Sequence, residues 1–572
     1  MNKKSTVLLL MLLFGFFACQ QEDQKEYPDV VLLNGNIYTV DESNPTAEAL
    51  AIKDDRILKV GSNAEIEALK GDSTTVYDLE GRFVMPGFIE GHGHFSGLGY
   101  SLANLNFLKS ENWEEIVAAV EERVKTAKPG EWIIGRGWHQ EKWSKTPDRN
   151  VMGYPFHDDL SAISPNNPVF LNHASGHAAF ANAKAMELAG ITAETPDPFG
   201  GEVIRDSRGE PIGIFEETAE NLINQAYQEY RQTLSEEDKV EEWYKMIELA
   251  EEECLAKGIT SFHDAGSDYD EIDGYIGLAE NDELDVRLWV MISGRQDDLA
   301  EKAVNFPKIG VGKEALTIRA IKGYMDGALG ARGAWLLEPY TDKPDSYGKN
   351  TTPIDDLVSW GEVAFDNGLQ YCVHGIGDRG NQEILNIFEE QFKKDPSKTG
   401  LRWRIEHAQH IDTSDIPRFR EMGVIAAMQG IHCTSDAPYV IDRLGEERAR
   451  YGAYPWRSLL DNGVVIANGS DAPVEDVSAL ESFFASVTRK RADTGMEFFP
   501  EQKMTRAEAI YSYTLANAYA AFEEEIKGSL TEGKLADIVV LSNDLINCAD
   551  DEILNTKILK TFVGGKLKYS DQ

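Results

Sequence analysis

The sequence has few cysteines and few basic residues for its length. Five cysteines occur in 572 residues at wide, irregular spacing without a C-x-x-C pair, so nothing in the pattern demands a disulfide framework. Lysine and arginine number 56 against 97 aspartates and glutamates, which gives a formal net charge of -41. A phosphate backbone would be repelled by that charge, so nucleic acid is excluded as an expected partner.

Long apolar runs are also scarce, and the only prominent one lies at the N-terminus. Lys3 and Lys4 precede the apolar residues 7–17, a run that is too short to span a bilayer as a mature helix and is typical of a signal peptide. The segment Phe16-Phe17-Ala18-Cys19 resembles a bacterial lipobox, which implies cleavage before Cys19 and a lipid on its sulfur. An ordinary signal peptide with an incidental cysteine is the alternative.

We therefore expect residues 1–18 to be a signal peptide and residues 19–28 a lipid-anchored tether. The mature protein would be an exported bacterial lipoprotein of the cell envelope, periplasmic or surface-exposed, that meets the membrane only through its lipid. The sequence leaves the oligomeric state open, a homodimer included.

The two ends of the mature chain show short β-strand patterns with turn residues between them. Residues 30–40 and 49–60 each predict a hairpin, with turns at Asn34-Gly35 and Asp54-Asp55. Near the C-terminus, residues 558–563 and 566–569 flank Gly564-Gly565 in the same way. We expect residues 29–86 and 521–572 to build one β-sandwich.

Between the two ends, β-rich runs alternate with helix-like stretches, the pattern of a (β/α) barrel over residues 87–520. The helix expected at 236–257 has Ser235 as its N-cap and ends at Gly258. Residues 97–206 are too long for one loop and predict a subdomain inserted over the barrel mouth. Nine candidates compete for eight barrel strands, and the sequence does not say which is extra: residues 88–89, 169–172, 259–263, 286–292, 318–325, 370–374, 403–407, 424–428 and 464–467.

Two histidines follow the first of these runs at a spacing of two. His92 and His94 lie in Pro86-Gly-Phe-Ile-Glu-Gly-His-Gly-His94, and on an extended chain side chains two apart share one face. Both imidazoles can therefore ligate one metal ion. Alone, this pair is as compatible with two ordinary loop histidines.

Further polar residues stand at the ends of later runs. His374 ends Tyr371-Cys-Val-His, His407 ends Arg404-Ile-Glu-His, and Asp471 follows Asn468-Gly-Ser. In a barrel the carboxyl ends of the strands converge on the active site, so these groups would share one pocket. Imidazole and carboxylate are suitable ligands for zinc.

These motifs together resemble the amidohydrolase superfamily. The segments that carry the resemblance lie at Pro86–His94, Lys322 with Asp326-Gly327, His374–Asp378, Glu406–Gln409, Gly469–Pro473 and Gly533–Asp537. They are similar to the YtcJ-like branch, which includes N-substituted formamide deformylases. The resemblance implies an α/β fold: a distorted TIM (β/α)8 barrel with a β-sandwich built from both chain termini.

The resemblance also implies roles for the strand-end residues. His92 and His94 would bind a buried divalent metal, zinc being expected, and His374 and His407 a second one. Asp471 would bind metal and transfer protons as the catalytic residue.

Lys322 occupies the position of a lysine that some relatives carry as a carbamate bridging two metals. Without carboxylation Lys322 would form an ion pair with Asp326 or another acid, and a single-metal site would be favoured. The sequence does not decide between the two.

Candidate substrate contacts are His177, Asp378, Arg379, Gln429 and His432. We expect the protein to hydrolyse a non-peptide C–N bond, an amide, in a small-molecule substrate by metal-activated water. The same metal site could act on a cyclic amide, an ester or lactone, or in deamination. A hypothesis of another class is a surface lipoprotein that captures ligands without catalysis.

Overall fold

The computed structural model describes residues 27–140, 143–174, 178–199 and 201–571. The predicted signal peptide, the predicted lipidation site Cys19 and the substrate-contact candidate His177 lie outside these residues. Within the described ranges no helix combines the length and the apolarity that crossing a bilayer requires.

Eight parallel strands form a nearly closed barrel at the centre of the molecule. The gap between the first and last strands is bridged by Asn517, whose side-chain amide donates to the carbonyls of Ile89 (2.6 Å) and Asn468 (2.8 Å). The strands in spatial order are Ile466–Gly469, Ile425–Gln429, Arg404–His407, Gln370–Gly375, Leu316–Tyr324, Arg287–Ile292, Ile259–Ser267 and Phe88–Gly93. A short strand, Lys308–Gly310, pairs antiparallel with Leu316–Tyr324.

The ninth candidate strand, at 169–172, is therefore the extra one. It is part of the strand Val169–His173, which lies in a separate sheet. Its apolar run could not distinguish a barrel strand from any other buried strand, because both bury their two faces.

Helices surround the barrel. The helix Glu236–Ala256 has the predicted cap, since the Ser235 side chain accepts a hydrogen bond from the backbone N–H of Asp238, and Gly258 follows it with φ of 76°. The other helices associated with the barrel are Phe95–Ala103, Tyr269–Glu280, Gln296–Lys302, Val311–Glu314, Ile354–Asn367, Asp378–Lys394, Ile416–Met422, Gly430–Leu444, Glu446–Gly452, Trp456–Asp461, Ala479–Thr488, Arg506–Ser512 and Leu515–Ala520, with 3-10 turns at Ala303–Asn305, Pro500–Gln502 and Asp550–Asn555.

Both chain ends contribute to a two-sheet unit beside the barrel. One sheet has the order Arg56–Gly61, Ala49–Lys53, Val30–Leu33 and Thr75–Asp78, with the helix Asn63–Glu67 beside it. The other has the order Lys566–Ser570, Ile558–Val563, Ile538–Leu541, Phe83–Pro86, Asn36–Tyr38 and Thr46–Ala47. Leu32, Ile52, Ile538 and Phe562 come from both sheets and share one buried core.

The hairpin predicted at residues 30–40 is wrong. Val30–Leu33 and Asn36–Tyr38 lie in different sheets, so Asn34-Gly35 is a corner between the sheets. A two-residue I′ hairpin needs positive φ at both central residues, and only Asn34 has it, at 57°. Gly564 and Gly565 both have positive φ (53° and 72°), and the predicted hairpin forms there.

The inserted subdomain has a six-stranded sheet of its own. It extends past the predicted end at residue 206, because Pro211–Glu217 pairs with Gly201–Arg205 in the same sheet. The remaining strands are Leu105–Asn106, Ile133–Trp138, Val169–His173 and Ala178–Ala181, a small ribbon is formed by Asn150–Val151 and Tyr154–Pro155, and the helices are Trp113–Val124, Asp158–Ile163, Ala183–Leu188 and Glu220–Thr233. Arg136 of this sheet donates a hydrogen bond to the Pro473 carbonyl, two residues past Asp471, so the subdomain contacts the carboxyl end of the barrel.

Candidate metal centre

The first barrel strand contains His92 and places its side chain in the barrel interior. Phe88–Gly93 is buried along its whole length, and Gly91 lies so close to the last strand that a Cβ there would sit 2.5 Å from the Asn468 carbonyl oxygen. A side chain at this position would push the strands apart, so the glycine is needed for close approach of the two strands. His94 follows as the N-cap of the helix Phe95–Ala103.

Three buried groups converge at the carboxyl end of the barrel. His92, His407 and Asp471 each offer a ligand atom, and these three atoms all lie within 4.8 Å of one another. The Nε2 atom of His92 is 3.6 Å from Oδ1 of Asp471, and Nδ1 of His407 is 4.0 Å from Oδ2. One imidazole nitrogen from each histidine and a carboxylate oxygen, all within 4.8 Å of one another, can bind one divalent ion.

The other predicted ligands lie around the same point. His94 Nε2 is 3.4 Å from Asp471 Oδ1, and Lys322 Nζ is 3.4 Å from His92 Nε2. The ring centroid of His374 is 4.4 Å from that of His407. The structure thus brings all six residues together from five barrel strands and the segments that follow them.

Two of these residues have an unusual backbone. His407 and Asp471 both have positive φ, 74° and 61°, a region that side chains other than glycine rarely adopt. Such a conformation costs about 1–3 kcal/mol and persists only where the surroundings enforce it. At His407 it turns the chain at the strand end, so that His407 and its neighbour Glu406 both reach the interior.

Burial keeps the imidazoles neutral. It lowers the pKa of His92 to about 4 and that of His374 to about 3, and it holds the pKa of His407 well below its usual range. At neutral pH these rings therefore carry a free lone pair, which metal binding requires. Burial also lowers the pKa of the Lys322 ammonium.

Asp471 is charged despite its burial. Burial raises the pKa of this carboxyl, but the neighbouring imidazoles of His94, His407 and His92 lower it by a larger amount, so that the pKa lies well below its usual value. A buried carboxylate among neutral imidazoles gives this site a negative electrostatic potential, which attracts cations.

The donor set fits a divalent cation. Asp471 Oδ1 and His374 Nε2 are buried and have no hydrogen-bond partner among the described residues. A buried polar atom without a partner costs about 1–3 kcal/mol, and a bound cation would remove that cost for both atoms. Imidazole nitrogens with a carboxylate suit zinc and similar transition metals.

The candidate substrate contacts fall into two groups. His432 faces the centre: its Nε2 is 3.9 Å from Asp471 Oδ2, while Gln409 holds its Nδ1 at 3.1 Å. Gln429 instead lies behind a ligand, because its side-chain oxygen is 2.8 Å from His407 Nδ1. It orients His407 and is itself almost fully buried.

Asp378 and Arg379 hold a loop. Asp378 accepts a hydrogen bond from the Leu337 backbone N–H at 2.8 Å, and the Arg379 guanidinium lies over the Trp335 ring. Both contacts fix the segment that follows the strand Leu316–Tyr324. The two residues would therefore affect a substrate indirectly, by positioning that segment.

Two structural roles were not among the predictions from the sequence. Asp326 forms no ion pair with Lys322 in the described part of the chain; its carboxylate accepts backbone N–H groups of Trp335, Ile376 and Gly377 at 2.8–2.9 Å. Arg404 and Glu406 form a buried ion pair, and their signal in the sequence was two opposite charges at i and i+2, which lie on one face of a strand.

Comparison with known proteins gives consistent matches over most of the chain. A model described as "Amidohydrolase family" matches residues 75–569. The putative amidohydrolase YtcJ of Bacillus subtilis (strain 168) is 31% identical over 94% of this chain and 98% of its own length. N-substituted formamide deformylase of Arthrobacter pascens is 28% identical over 95% of this chain and 98% of its own.

Among solved structures, an uncharacterized metal-dependent hydrolase from Pyrococcus furiosus superposes with a TM-score of 0.72 at 28% identity, covering 91% of this chain and all of the other.

Proposed function

This chain belongs to the amidohydrolase family of metal-dependent hydrolases, and on that premise we propose that it hydrolyses an amide C–N bond of a small molecule. The observation that carries the proposal is the convergence of His92, His407 and Asp471 on one buried point. The choice of an amide is supported by the relative named for deformylating N-substituted formamides.

His92, His94, His374, His407 and Asp471 would hold one or two divalent ions, for which zinc is our candidate. An ion bound there supplies Lewis acidity, which polarises a substrate carbonyl and makes water a stronger acid. The chain itself supplies the geometry and the proton transfers.

Asp471 carries the proton in this proposal. Its carboxylate is ionised and buried beside the point where the ligands meet, so it can accept a proton from the attacking water. Amide nitrogen is a poor leaving group until it is protonated, and Asp471 returns the proton to it. His432 lies on the other side of this carboxylate and can donate a hydrogen bond from Nε2 to the substrate oxygen.

We also propose that Lys322 is carboxylated in the loaded enzyme. The neutral amine at Nζ would attack the carbon of carbon dioxide. An N–C bond forms, one C=O π bond breaks to give the carbamate oxyanion, and one amine proton is released to water. Its position 3.4 Å from His92 Nε2 and its fully buried surroundings, which favour a neutral amine, support this. A ¹³C carbamate signal after exposure to labelled bicarbonate, absent in Lys322→Met, would be expected; its absence from the wild type would refute this assignment.

The test of function is a substrate panel. N-formyl and N-acetyl amines, N-acyl amino acids, cyclic amides, lactones and aminopurines would be incubated with purified protein before and after chelation and zinc restoration. We expect turnover of at least one amide that is lost on chelation and regained with zinc. Turnover of lactones or aminopurines alone would reassign the bond, and ligand binding without turnover would favour a binding protein.

We also propose that the protein is exported and anchored to the cell envelope by a lipid on Cys19. The basic and apolar residues before Cys19 support this proposal. Mass spectrometry of the membrane fraction should find a lipid-modified N-terminal cysteine, and Cys19→Ser should move the protein to the soluble fraction. A soluble wild-type protein would contradict this proposal.

A further inference from the structure

An ion pair without solvent contact lies inside the barrel beside the metal centre. Arg404 and Glu406 are both 0% exposed, and Arg404 donates from Nε to Oε1 of Glu406 (2.7 Å) and from Nη2 to Oε2 (2.9 Å). Arg404 further donates to the Gly91 carbonyl at 2.8 Å and lies 3.1 Å from His263 Nδ1. The guanidinium therefore joins three barrel strands around the Glu406 carboxylate.

The same carboxylate contacts a predicted metal ligand. Glu406 Oε2 forms a short hydrogen bond with His92 Nδ1, and both side chains are buried. The opposite nitrogen of that ring, Nε2, faces Lys322 Nζ and Asp471 Oδ1 at 3.4 and 3.6 Å. One nitrogen of His92 thus faces the ion pair, and the other faces the metal centre.

We propose that Glu406, held by Arg404, is a positioning residue that fixes His92 as the Nδ1-protonated tautomer. A carboxylate that already accepts two guanidinium hydrogen bonds can only accept from the imidazole, so Nδ1 must carry the proton. A neutral imidazole has one N–H, which leaves the lone pair on Nε2, toward the metal centre. The inference rests on the metal site of the proposed function and does not depend on which bond is cleaved.

The positions of Arg404 and Glu406 on their strand allow the pair to reach both Gly91 and His92. Glu406 and Arg404 are two residues apart on one strand, so their side chains share a face, and the first strand with His92 lies across the barrel interior. Gly91, whose carbonyl Arg404 binds, precedes His92 directly. The pair thus fixes both the backbone and the ring of the same ligand.

The test compares two variants that each leave a buried arginine without its carboxylate. Glu406→Gln removes the negative charge next to His92. Asp537→Asn is the matched control: Asp537 forms a buried pair with Arg287 (Nε to Oδ2, 2.8 Å) at the amino end of a barrel strand, where the terminal sandwich packs. If Glu406→Gln fails to fold because the buried Arg404 guanidinium has lost its carboxylate, the double variant Arg404→Met/Glu406→Gln removes that positive charge as well.

Two readouts are independent of turnover. Zinc affinity would be measured by chelator competition, and the His92 tautomer by ¹⁵N NMR of histidine-labelled metal-free protein, assigned by difference from His92→Gln. We expect the Glu406 variants to bind zinc about 10–100-fold more weakly and to show the Nε2-protonated form, while Asp537→Asn lowers the melting temperature with unchanged zinc affinity.

Zinc affinity equal to that of the wild type in the folded Glu406 variants, or an unchanged Nδ1-protonated ring, would overturn the inference. A loss of affinity matched by Asp537→Asn would also overturn it, because a general loss of stability would then explain the effect. A wild-type protein that binds no metal would instead refute the proposed function.

Discussion

At the scale of single residues, the centre depends on side chains whose freedom has been removed by burial and by second partners. Gln429 holds His407, Gln409 holds His432 and Glu406 holds His92, in each case through the Nδ1 atom of the ring. Ligands oriented in this way lose little entropy on binding a metal or a substrate.

Substitution of the central carboxylate should separate binding from chemistry. Asp471→Asn keeps the size of the side chain but cannot accept and return a proton, so we expect kcat to fall about 10²–10⁴-fold while metal content, measured by ICP-MS, is retained. Asp476→Asn, five residues on and paired with Lys257, is the control and should leave kcat unchanged. Near-normal turnover in Asp471→Asn would remove Asp471 from the mechanism.

A pair of buried histidines tests the proposed substrate donor. His432→Phe removes the group that faces Asp471, and we expect kcat to fall about 10²-fold with normal metal content, the effect of losing one preorganised donor. His410 is equally buried but packs on Tyr454, so His410→Phe should leave kcat nearly unchanged. Equal losses in both variants would mean that packing, and not donation, explains the effect.

At the scale of elements, helix ends and loops position the centre through backbone hydrogen bonds. The cap of Glu236–Ala256 fixes where that helix starts after the inserted subdomain. Asp326 joins the segment after Leu316–Tyr324 to the end of Gln370–Gly375, the strand that carries His374.

Removal of the helix cap should have a modest local effect. Ser235→Ala leaves the backbone N–H of Asp238 without its acceptor, so we expect about 1 kcal/mol less protection of the first helical turn in hydrogen exchange. Ser235→Asn restores a capping oxygen and should restore protection. Unchanged exchange in Ser235→Ala would show that packing alone holds the turn.

Removal of the loop anchor should have a larger effect. Asp326→Ala leaves three backbone N–H groups without their acceptor, and we expect a loss of roughly 3 kcal/mol or more in unfolding experiments with urea. Asp342 lies in the same segment and forms exposed ion pairs with Arg332 and Arg443. Asp342→Ala should therefore lower the free energy of unfolding by less than about 1 kcal/mol. Similar losses would mean that Asp326 is not the anchor.

At the scale of the whole molecule, the two chain ends depend on each other. Strands from residues 538–570 complete a sheet begun by residues 36–86, and Phe562 is fully buried among side chains from both ends. Stability of this unit therefore depends on residues from both ends of the chain.

A core substitution in the last hairpin tests that dependence. Phe562→Ala should destabilise the protein by about 3–5 kcal/mol, measured by thermal unfolding, because it opens a cavity between the two sheets. Leu567→Ala in the paired strand changes a partly exposed side chain and should stay within about 0.5 kcal/mol of the wild type. A mild effect of Phe562→Ala would mean that the termini are only loosely joined.

The sequence by itself determined the family, the barrel with its sandwich from both termini, and the helix that begins after Ser235. The strands, the helix and the domain layout follow from local patterns: apolar periodicity, capping residues and turn residues. The family follows from the resemblance of the motifs at the strand ends. The family resemblance and the fold class are confirmed.

Only the tertiary structure decided which apolar run was not a barrel strand, that Asn34-Gly35 is a corner between sheets, and that Glu406 faces His92. Strand pairing and side-chain contact between residues 314 positions apart depend on which surfaces pack together. A local pattern fixes which face a residue lies on, but the neighbour across the barrel is chosen by the packing of the whole chain.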